Sequence, residues 1–318
     1  MKFTLRQIEY FIAAAESGSV ALAAQRANIS APSVSTAIAH LEQEFGVQLF
    51  VRHHAQGLSL TSAGRGLLRE ARQGLRQMEG LYAAATADGQ LRGTLNVGCL
   101  VTVAPMVLPA LAGSFMRAHP GCSIEPTALH QEGLLLGLRR AQLDVAITYD
   151  LQAGEDIAYE PLVALPPYAI FGADDALRRR RRVRLSELAR RPLILLDLPI
   201  SREYLLGLFM RADLTPHVSW RSPHAEVIRT LVANGFGYAL FNGRPRSLHA
   251  QDGRRVYPVR LAGSHPAAVL GLASLKGHNG SRLLQAFAAH CREQITARHV
   301  PGMAPPIAGS LDDPADGA

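Results

Sequence analysis

Apolar residues recur at the period of an α-helix through the first part of the chain. One apolar stripe predicts a helix over residues 5–17 and consists of Leu5, Ile8, Phe11, Ile12 and Ala15. A second stripe predicts a helix between Ser30 and Gly46 and consists of Val34, Ile38, Leu41 and Phe45. A shorter helix is predicted between them, beginning after Ser19.

The two helices within residues 20–42 predict a helix-turn-helix motif. Ser19 and Ser30 are good N-cap residues, and Asn28 tolerates the unusual backbone angles of a tight turn. Small side chains such as Ala23 allow the second helix to cross closely over the first. The polar face of the second helix carries short groups that leave room for a duplex: Ser33, Thr36, Ala37 and His40. The pattern indicates that this helix reads DNA.

A short hairpin, or wing, is predicted next, because apolar segments at 48–52 and 58–61 flank the polar loop 53–57. Arg52 in the wing can reach phosphates or the minor groove, and a merely solvated loop is the alternative. The predicted DNA-contacting residues are Ser30, Ser33, Ser35, Thr36, His40 and Arg52.

A long helix is predicted from Thr61, with a narrow apolar seam made of Leu68, Ala71, Leu75, Met78, Tyr82 and Ala85. The outward positions are Arg65, Arg69, Glu70, Arg72, Arg76 and Glu79. The seam favours pairing with a second copy of the chain, although it can also pack on its own chain. A homodimer places two reading helices about one DNA turn apart.

Strand and helix patterns alternate after the helix-breaking segment 87–93, which predicts a parallel sheet with crossover helices. A second α/β set covers residues 168–241, and a strand at 269–273 with a helix at 281–298 returns to the first set. The tail is rich in Pro, Gly, Ala and Asp without a period and is expected to be disordered. The expected domains are residues 1–60, 61–89 and 92–298, followed by the tail 299–318.

The net charge of +7 at first suggests nucleic-acid binding, but its distribution argues otherwise. Residues 1–90 hold eight basic and seven acidic groups, a net charge of +1. Residues 178–191 hold eight arginines and one glutamate, far from the predicted reading helix. DNA binding therefore rests on the motif. For the arginine run 178–182, a solvated surface loop is favoured over a second DNA contact.

Composition and motif content exclude several classes of protein. No uninterrupted apolar stretch approaches the roughly 20 residues that span a bilayer, and the N-terminus has no signal-peptide pattern, so we expect no membrane attachment. The three cysteines are few and scattered, which fits a reducing cytoplasm. Motifs for hydrolysis, phosphate binding and zinc binding are missing, so we expect no catalytic site, metal site or cofactor.

The pattern over residues 11–52 resembles the N-terminal domain of LysR-type transcriptional regulators. The matching residues are Ala23-Ala24, Ser30-x-Pro32-x-Val34-Ser35, Leu41-Glu42 and Phe45-Gly46-Val47-x-Leu49-Phe50-x-Arg52. Ala31 stands where a polar Gln is usual and Ala55 where an Arg is common, which implies fewer DNA contacts. Residues 92–298 resemble the effector-binding domain of the same family. The resemblance implies an α/β protein with an N-terminal all-α winged helix-turn-helix and a two-lobed domain like periplasmic binding proteins.

Ligands of that architecture lie in the cleft between the lobes, at the carboxyl ends of strands. Thr102 can cap a helix whose N-terminus attracts an anion, and Arg202 is available for a carboxylate. The candidate effector-binding residues are Thr102, His130, Gln131, Ser201, Arg202, His224 and Phe236. For each of them an ordinary cap or turn is the alternative. We expect a small organic anion as effector.

The resemblance implies a cytoplasmic regulator that binds a double-stranded DNA operator as a homodimer or homotetramer. A bound effector changes how the complex meets RNA polymerase. Two other classes remain open at this point. One is a solute-binding or enzymatic α/β protein with an accessory helical domain, and the other is a nucleoid-type protein that binds DNA without sequence preference.

Overall fold

The computed structural model describes residues 2–53, 57–85, 91–150, 154–276 and 281–305. Its N-terminal part is a winged helix-turn-helix followed by a long helix. The elements are α1 (Leu5–Ser17), α2 (Val20–Arg26), α3 (Ala31–Phe45), β1 (Phe50–His53), β2 (Gly57–Leu60) and α4 (Ser62–Ala85).

The predicted caps place these helices. The Ser19 side chain accepts a hydrogen bond from the Leu22 amide, and the Ser30 side chain accepts one from the Ser33 amide. Asn28, between α2 and α3, has a φ of 52°, the left-handed conformation expected of the turn residue. These contacts confirm the predicted helix-turn-helix at its turn and at both helix starts.

The core of this part corrects the predicted faces of α3. Val34, Ile38 and Leu41 are buried as predicted, whereas Phe45 is 37% exposed and its ring lies 5.2 Å from that of Phe3. Ala37, which the sequence pattern places on the DNA-facing side, is buried.

The seam of α4 does not face a partner along its whole length. Leu68 and Ala71 are buried in the core of the helix-turn-helix, and Leu75 packs against it. Met78 is 36% exposed, while the side chains of Tyr82 and Ala85 lie outside the described residues. The first half of the seam therefore packs on its own chain, which was the alternative to dimerisation in the sequence analysis.

The remaining chain forms two lobes with separate apolar cores. The first lobe has a five-stranded sheet in the order β4-β3-β5-β13-β6. Its strands are β3 (Gly93–Leu100), β4 (Cys122–Leu129), β5 (Val145–Tyr149), β6 (Ile157–Leu165) and β13 (Ala268–Leu275), and its helices are α5 (Ala104–Ala118), α6 (Gln131–Arg139) and α10 (Arg282–Gln294). β3 pairs in parallel with β4 and β5, whereas β13 is antiparallel to β5 and β6. The predicted return of the chain to the first lobe is confirmed.

The second lobe is a mixed sheet with helices on it. Its strands are β7 (Tyr168–Phe171), β8 (Arg182–Val183), β9 (Leu193–Leu196), β10 (Val218–Ser222), β11 (Ala239–Phe241) and β12 (Tyr257–Leu261), and its helices are α7 (Leu185–Leu188), α8 (Pro199–Met210) and α9 (Ala225–Ala233). Four strands follow the order β11-β7-β12-β8, and β9 pairs in parallel with β10. A parallel bridge between Leu193 and Tyr238 joins the two groups.

The start of the predicted disordered tail is ordered by packing. Val300 and Met303 are 1% and 3% exposed in the core of the first lobe. The Ala304 amide donates to the Arg244 carbonyl at 2.9 Å, on the second lobe. The expectation of disorder from residue 299 is therefore wrong for residues 299–305, and residues 306–318 lie outside the described part. Among the described helices, none combines the length and apolarity needed to span a membrane.

Candidate functional site

The exposed N-terminal half of α3 is the candidate DNA-reading face. Ser30 caps the helix, and its Oγ lies 2.8 Å from the Oγ of Ser33. Ser33 and Thr36 are exposed on successive turns, and Ser35 is half-buried beside them. Short hydroxyl side chains at a helix N-terminus can approach bases and phosphates closely.

His40 offers less to DNA than its position in the sequence suggests. The residue is half-buried, and its Nδ1 atom is enclosed without a hydrogen-bond partner among the described residues. Part of the ring therefore faces the protein, and only the remainder of its surface is open to a duplex.

The wing is fastened to the reading helix by a contact that the sequence analysis missed. Glu42 of α3 accepts hydrogen bonds from the amides of Leu49 and Phe50, at 2.7 and 3.2 Å. The hairpin pairs Phe50 with Leu60 and Arg52 with Leu58. The side chain of Arg52 and residues 54–56, which include Ala55, lie outside the described part. The Glu42 side chain on α3 therefore holds the first residues of the wing in place.

The candidate effector site is a small cavity between the lobes, with a volume of about 30 Å³. Because one water needs about 10–15 Å³, the cavity holds about two waters. Its polar lining comes from both lobes and consists of Thr102, Ser201, Tyr204 and Asn242. Tyr149 and the apolar side chains of five further residues complete the wall: Leu196, Leu205, Leu240, Phe241 and Ala268.

Two helix N-termini meet at this cavity. α5 begins two residues after Thr102, and Ser201 lies in the first turn of α8. The N-caps are Val103 and Leu198, and neither helix has a side-chain cap hydrogen bond. The prediction that Thr102 caps α5 is therefore wrong, and Thr102 lines the cavity instead. Uncapped helix N-termini carry a partial positive charge and free N–H groups.

Tyr204 and Asn242 link the lobes at the cavity, and sequence reasoning missed both. The Asn242 Nδ2 donates to the Tyr204 hydroxyl at 2.9 Å and to the Leu165 carbonyl at 2.8 Å. The Tyr204 hydroxyl in turn donates to the Pro266 carbonyl at 2.7 Å. Burial raises the pKa of Tyr204, so its hydroxyl stays protonated and remains a donor. Because the contributing segments are distant in sequence, no local pattern could reveal them.

Three predicted effector residues lie near the cleft without lining the cavity. Arg202 is paired with Asp197 at 2.8 Å, so its guanidinium already has a carboxylate partner. Gln131 is buried, and its Nε2 donates to the carbonyl of Tyr149 at 3.1 Å. His130 precedes α6 without a side-chain cap bond and lies 3.8 Å from Glu132.

The remaining two predicted effector residues lie outside the cavity lining. His224 is the N-cap residue of α9, and its amide donates to the Ser222 hydroxyl at 3.1 Å. Phe236 is 49% exposed and packs edge-on against Trp220, with ring centroids 5.7 Å apart. The cavity therefore brings together Thr102 and Ser201 from the predicted set.

The arginine run lies on the surface of the second lobe, beside β8. Arg180 is paired with Glu187 at 2.8 Å, and the guanidinium of Arg178 lies 5.0 Å from the centre of the Tyr257 ring. Arg179 and Arg181 are exposed. Charged side chains on an edge strand also prevent unwanted strand pairing, which agrees with the favoured interpretation of a solvated surface.

Fold and site together define a helix-turn-helix transcriptional regulator that carries a two-lobed ligand domain. The sequence model of a family described as "Bacterial regulatory helix-turn-helix protein, lysR family" matches residues 5–65, and that of the "LysR substrate binding domain" matches residues 88–296. The chain belongs to the LysR family of bacterial transcriptional regulators. It is a DNA-binding regulator whose partners are operator DNA and a small-molecule effector.

Characterised relatives support this assignment along most of the chain. HinK, a LysR family transcriptional regulator from Pseudomonas aeruginosa, is 36% identical in sequence; the match covers 92% of this chain and 99% of that one with a TM-score of 0.63. A full-length OxyR variant from Pseudomonas aeruginosa is 25% identical, with coverage of 91% and 98% and a TM-score of 0.72. The hydrogen peroxide-inducible genes activator of Dickeya chrysanthemi is 31% identical over 238 residues, which are 74% of this chain and 78% of the relative.

Proposed function

We propose that the N-terminal half of α3 reads the operator, with Ser30, Ser33, Ser35 and Thr36 as its contacts. The observation that carries this proposal is the exposure of Ser33 and Thr36 beside a capped helix N-terminus. His40 and Arg52 belong to the same proposal, His40 through the open part of its ring and Arg52 from the wing.

Thr36→Glu tests the reading face. DNA phosphates repel the new carboxylate, so we expect the operator affinity to fall by about tenfold or more, which is roughly the cost of one mismatched base pair. Fluorescence anisotropy measures this affinity. Gln251→Glu adds the same charge at an exposed position of the second lobe and serves as the control. If both variants bind the operator like the wild type, α3 does not read DNA through this face.

We further propose that two chains pair through the second half of α4, after the part that packs on its own domain, and that two such dimers form a tetramer. The exposed Met78 on the seam supports this pairing.

The division into residues 1–60, 61–89 and 92–298 belongs to the same proposal, with the linker helix extending the first unit. As a DNA-binding regulator, the protein is proposed to act in the cytoplasm, where its complex with the operator meets RNA polymerase. It acts by binding, not by catalysis, as its relatives do.

The effector is proposed to be a small organic anion held between the first turns of α5 and α8. The hydroxyls of Thr102 and Ser201 supply donors in the cavity, beside the first turns of α5 and α8, neither of which has a side-chain cap bond. Among the described residues, no charged side chain lines the cavity, so the helix ends are the source of positive potential. The cavity holds about two waters, and a larger ligand requires the lobes to separate.

Calorimetric titration with a panel of small carboxylates and matched neutral amides tests the effector class. We expect carboxylates to bind and Ser201→Ala to weaken them, while Ser186→Ala, an exposed serine of α7, leaves binding unchanged. Binding of the neutral compounds alone would refute the proposed anion.

One relative is a hydrogen peroxide-inducible genes activator, but the cysteines of this chain argue against peroxide sensing through a thiol. All three cysteines, Cys99, Cys122 and Cys291, are buried. Burial raises the pKa of each thiol, that of Cys291 to about 12. Sensor cysteines are accessible and have a low pKa, so these three have the opposite properties.

A further inference from the structure

The side chain of Arg72 is buried between the two halves of the molecule. The sequence analysis placed Arg72 among the outward positions of α4, yet the residue is 8% exposed. Its Nη2 donates to the carboxylate of Glu16 on α1 at 2.6 Å, and its Nη1 donates to the carbonyl of Arg140 at 2.9 Å. A buried guanidinium is retained only where its charge and donors are matched in this way.

One of these two contacts lies within the DNA-binding part. Leu68 and Ala71 fix the first turns of α4 in the helix-turn-helix core, where α1 also packs through Phe11. α1, α4 and the reading helix α3 therefore form one body around that core. Within this body, the carboxylate of Glu16 orients the guanidinium of Arg72.

The second contact crosses to the first lobe. Arg140 is the C-cap residue of α6, and the carbonyls at a helix C-terminus carry a partial negative charge. The next residue, Ala141, has a φ of 50°, an unfavourable conformation for a residue with a Cβ atom. The Arg72 contact thus falls on a strained helix end, of the kind often found at switch points.

α6 connects this contact to the effector cavity. At its other end Gln131 donates to the carbonyl of Tyr149, and Tyr149 lines the cavity. Nine residues of helix span about 13 Å, and Leu134 and Leu138 anchor the helix in the lobe core. α6 therefore links the wall of the cavity at one end to the Arg72 contact at the other.

We propose that Arg72 is a positioning residue that couples the effector lobe to the reading helix, with Glu16 holding its guanidinium in place. Separation of Arg140 from Arg72 breaks a buried, charge-assisted hydrogen bond and releases the helix-turn-helix from the lobe. In this role the contact is made in one state of the protein and broken in the other, the two-state element that transmission between distant sites requires. This inference rests on the protein acting as an effector-responsive regulator.

Coupling between two binding sites is reciprocal, so DNA binding must also change the end of α6. The test therefore does not require the effector to be known. The amides of Ala141, Gln142 and Leu143 donate to carbonyls of α6 and report on its end by hydrogen–deuterium exchange. We expect a duplex from the gene's own upstream region to change their exchange rates by about fivefold or more in the wild-type protein, the lower end of typical coupling.

Arg72→Gln abolishes this response, whereas Arg69→Gln, an exposed arginine one turn earlier on α4, keeps it. Hydrogen exchange of the α1 amides at the wild-type rate verifies that the Arg72→Gln variant folds. If that variant does not fold, Glu16→Gln, which keeps the arginine, is used in its place, and we expect it to reduce the response to DNA. A response that persists in Arg72→Gln, or is absent in the wild-type protein while it binds its operator, overturns the coupling role. Failure of the wild-type protein to prefer upstream over scrambled DNA instead overturns the regulatory function, and this inference with it.

Discussion

At the scale of single residues, burial decides the chemistry of the three thiols. All three cysteines lie in the core of the first lobe, with Cys122 at the start of β4. The thiolate is the reactive form, and burial disfavours it by raising the pKa of each cysteine. These cysteines therefore act as small apolar core residues.

We predict that the native protein is inert toward a thiol reagent. With 5,5′-dithiobis(2-nitrobenzoate) at pH 8, fewer than one of its three thiols reacts within minutes, and all three react after unfolding in guanidinium. The absorbance of the released thiolate measures both numbers. Rapid reaction of a native thiol would contradict this picture and reopen thiol-based sensing.

His290 illustrates how burial also shapes pH dependence. Its Nε2 lies 2.7 Å from the Ser114 hydroxyl, and its ring packs edge-on against Phe115. Desolvation lowers the pKa of His290 below its ordinary 6.5; the nearby Glu293 opposes this shift and His119 adds to it. The folded protein therefore favours the neutral ring, while the unfolded chain takes up a proton near pH 6.5.

The stability that His290 contributes is complete above pH 6.5 and is lost as the pH falls from 6.5 toward the lowered pKa. We predict that His290→Gln flattens this part of the stability–pH profile, measured by urea unfolding. His217→Gln, at an exposed histidine, retains the wild-type slope. An unchanged slope in His290→Gln would mean that other groups cause the acid sensitivity.

Residue-level prediction from sequence succeeded where the determinant was local. The caps at Ser19, Ser30 and Gly46 follow from neighbouring backbone geometry, and all three are present. It failed at Ala37, which is buried, and at Arg72, because its partners Glu16 and Arg140 are distant in sequence. Helical period identifies a face but not what packs against it.

At the scale of elements, the segment after α10 joins the two lobes. Val300 and Met303 enter the first-lobe core, while Met303 bridges to Pro245 and Ala304 bonds to Arg244 on the second lobe. Its Pro- and Gly-rich composition predicted disorder, because two apolar side chains give no period. Likewise β6 and β12 went unpredicted, since proline interrupts the apolar pattern of each.

We predict that Met303→Ala lowers the free energy of unfolding of the effector domain by about 2–5 kcal/mol, the usual cost of truncating a buried methionine. Met303 is 3% exposed, whereas Met210 is 72% exposed. Met210→Ala should therefore change the stability by no more than about 0.5 kcal/mol. Equal urea midpoints for the two variants would show that the segment adds no stability.

At the scale of the whole molecule, a DNA-reading body and a two-lobed ligand domain are joined through α4 and Arg72. Local and periodic patterns predicted the helix-turn-helix and the two α/β sets, and the family resemblance implied their arrangement as a two-lobed ligand domain. The sequence could not assemble the cavity, whose lining residues Thr102, Ser201, Tyr204 and Asn242 come from separate segments. It also placed Arg202 in the site, whereas Asp197 already pairs with that side chain.

The most direct test of sequence-specific regulation is the binding of the wild-type protein to DNA from its own upstream region. Fluorescence anisotropy at fixed salt compares that duplex with a scrambled duplex of equal length and composition. A sequence-specific regulator prefers its operator by about 10³-fold or more. We predict a preference of that size, and equal affinity for the two duplexes would contradict the assignment of α3 as a sequence-reading helix.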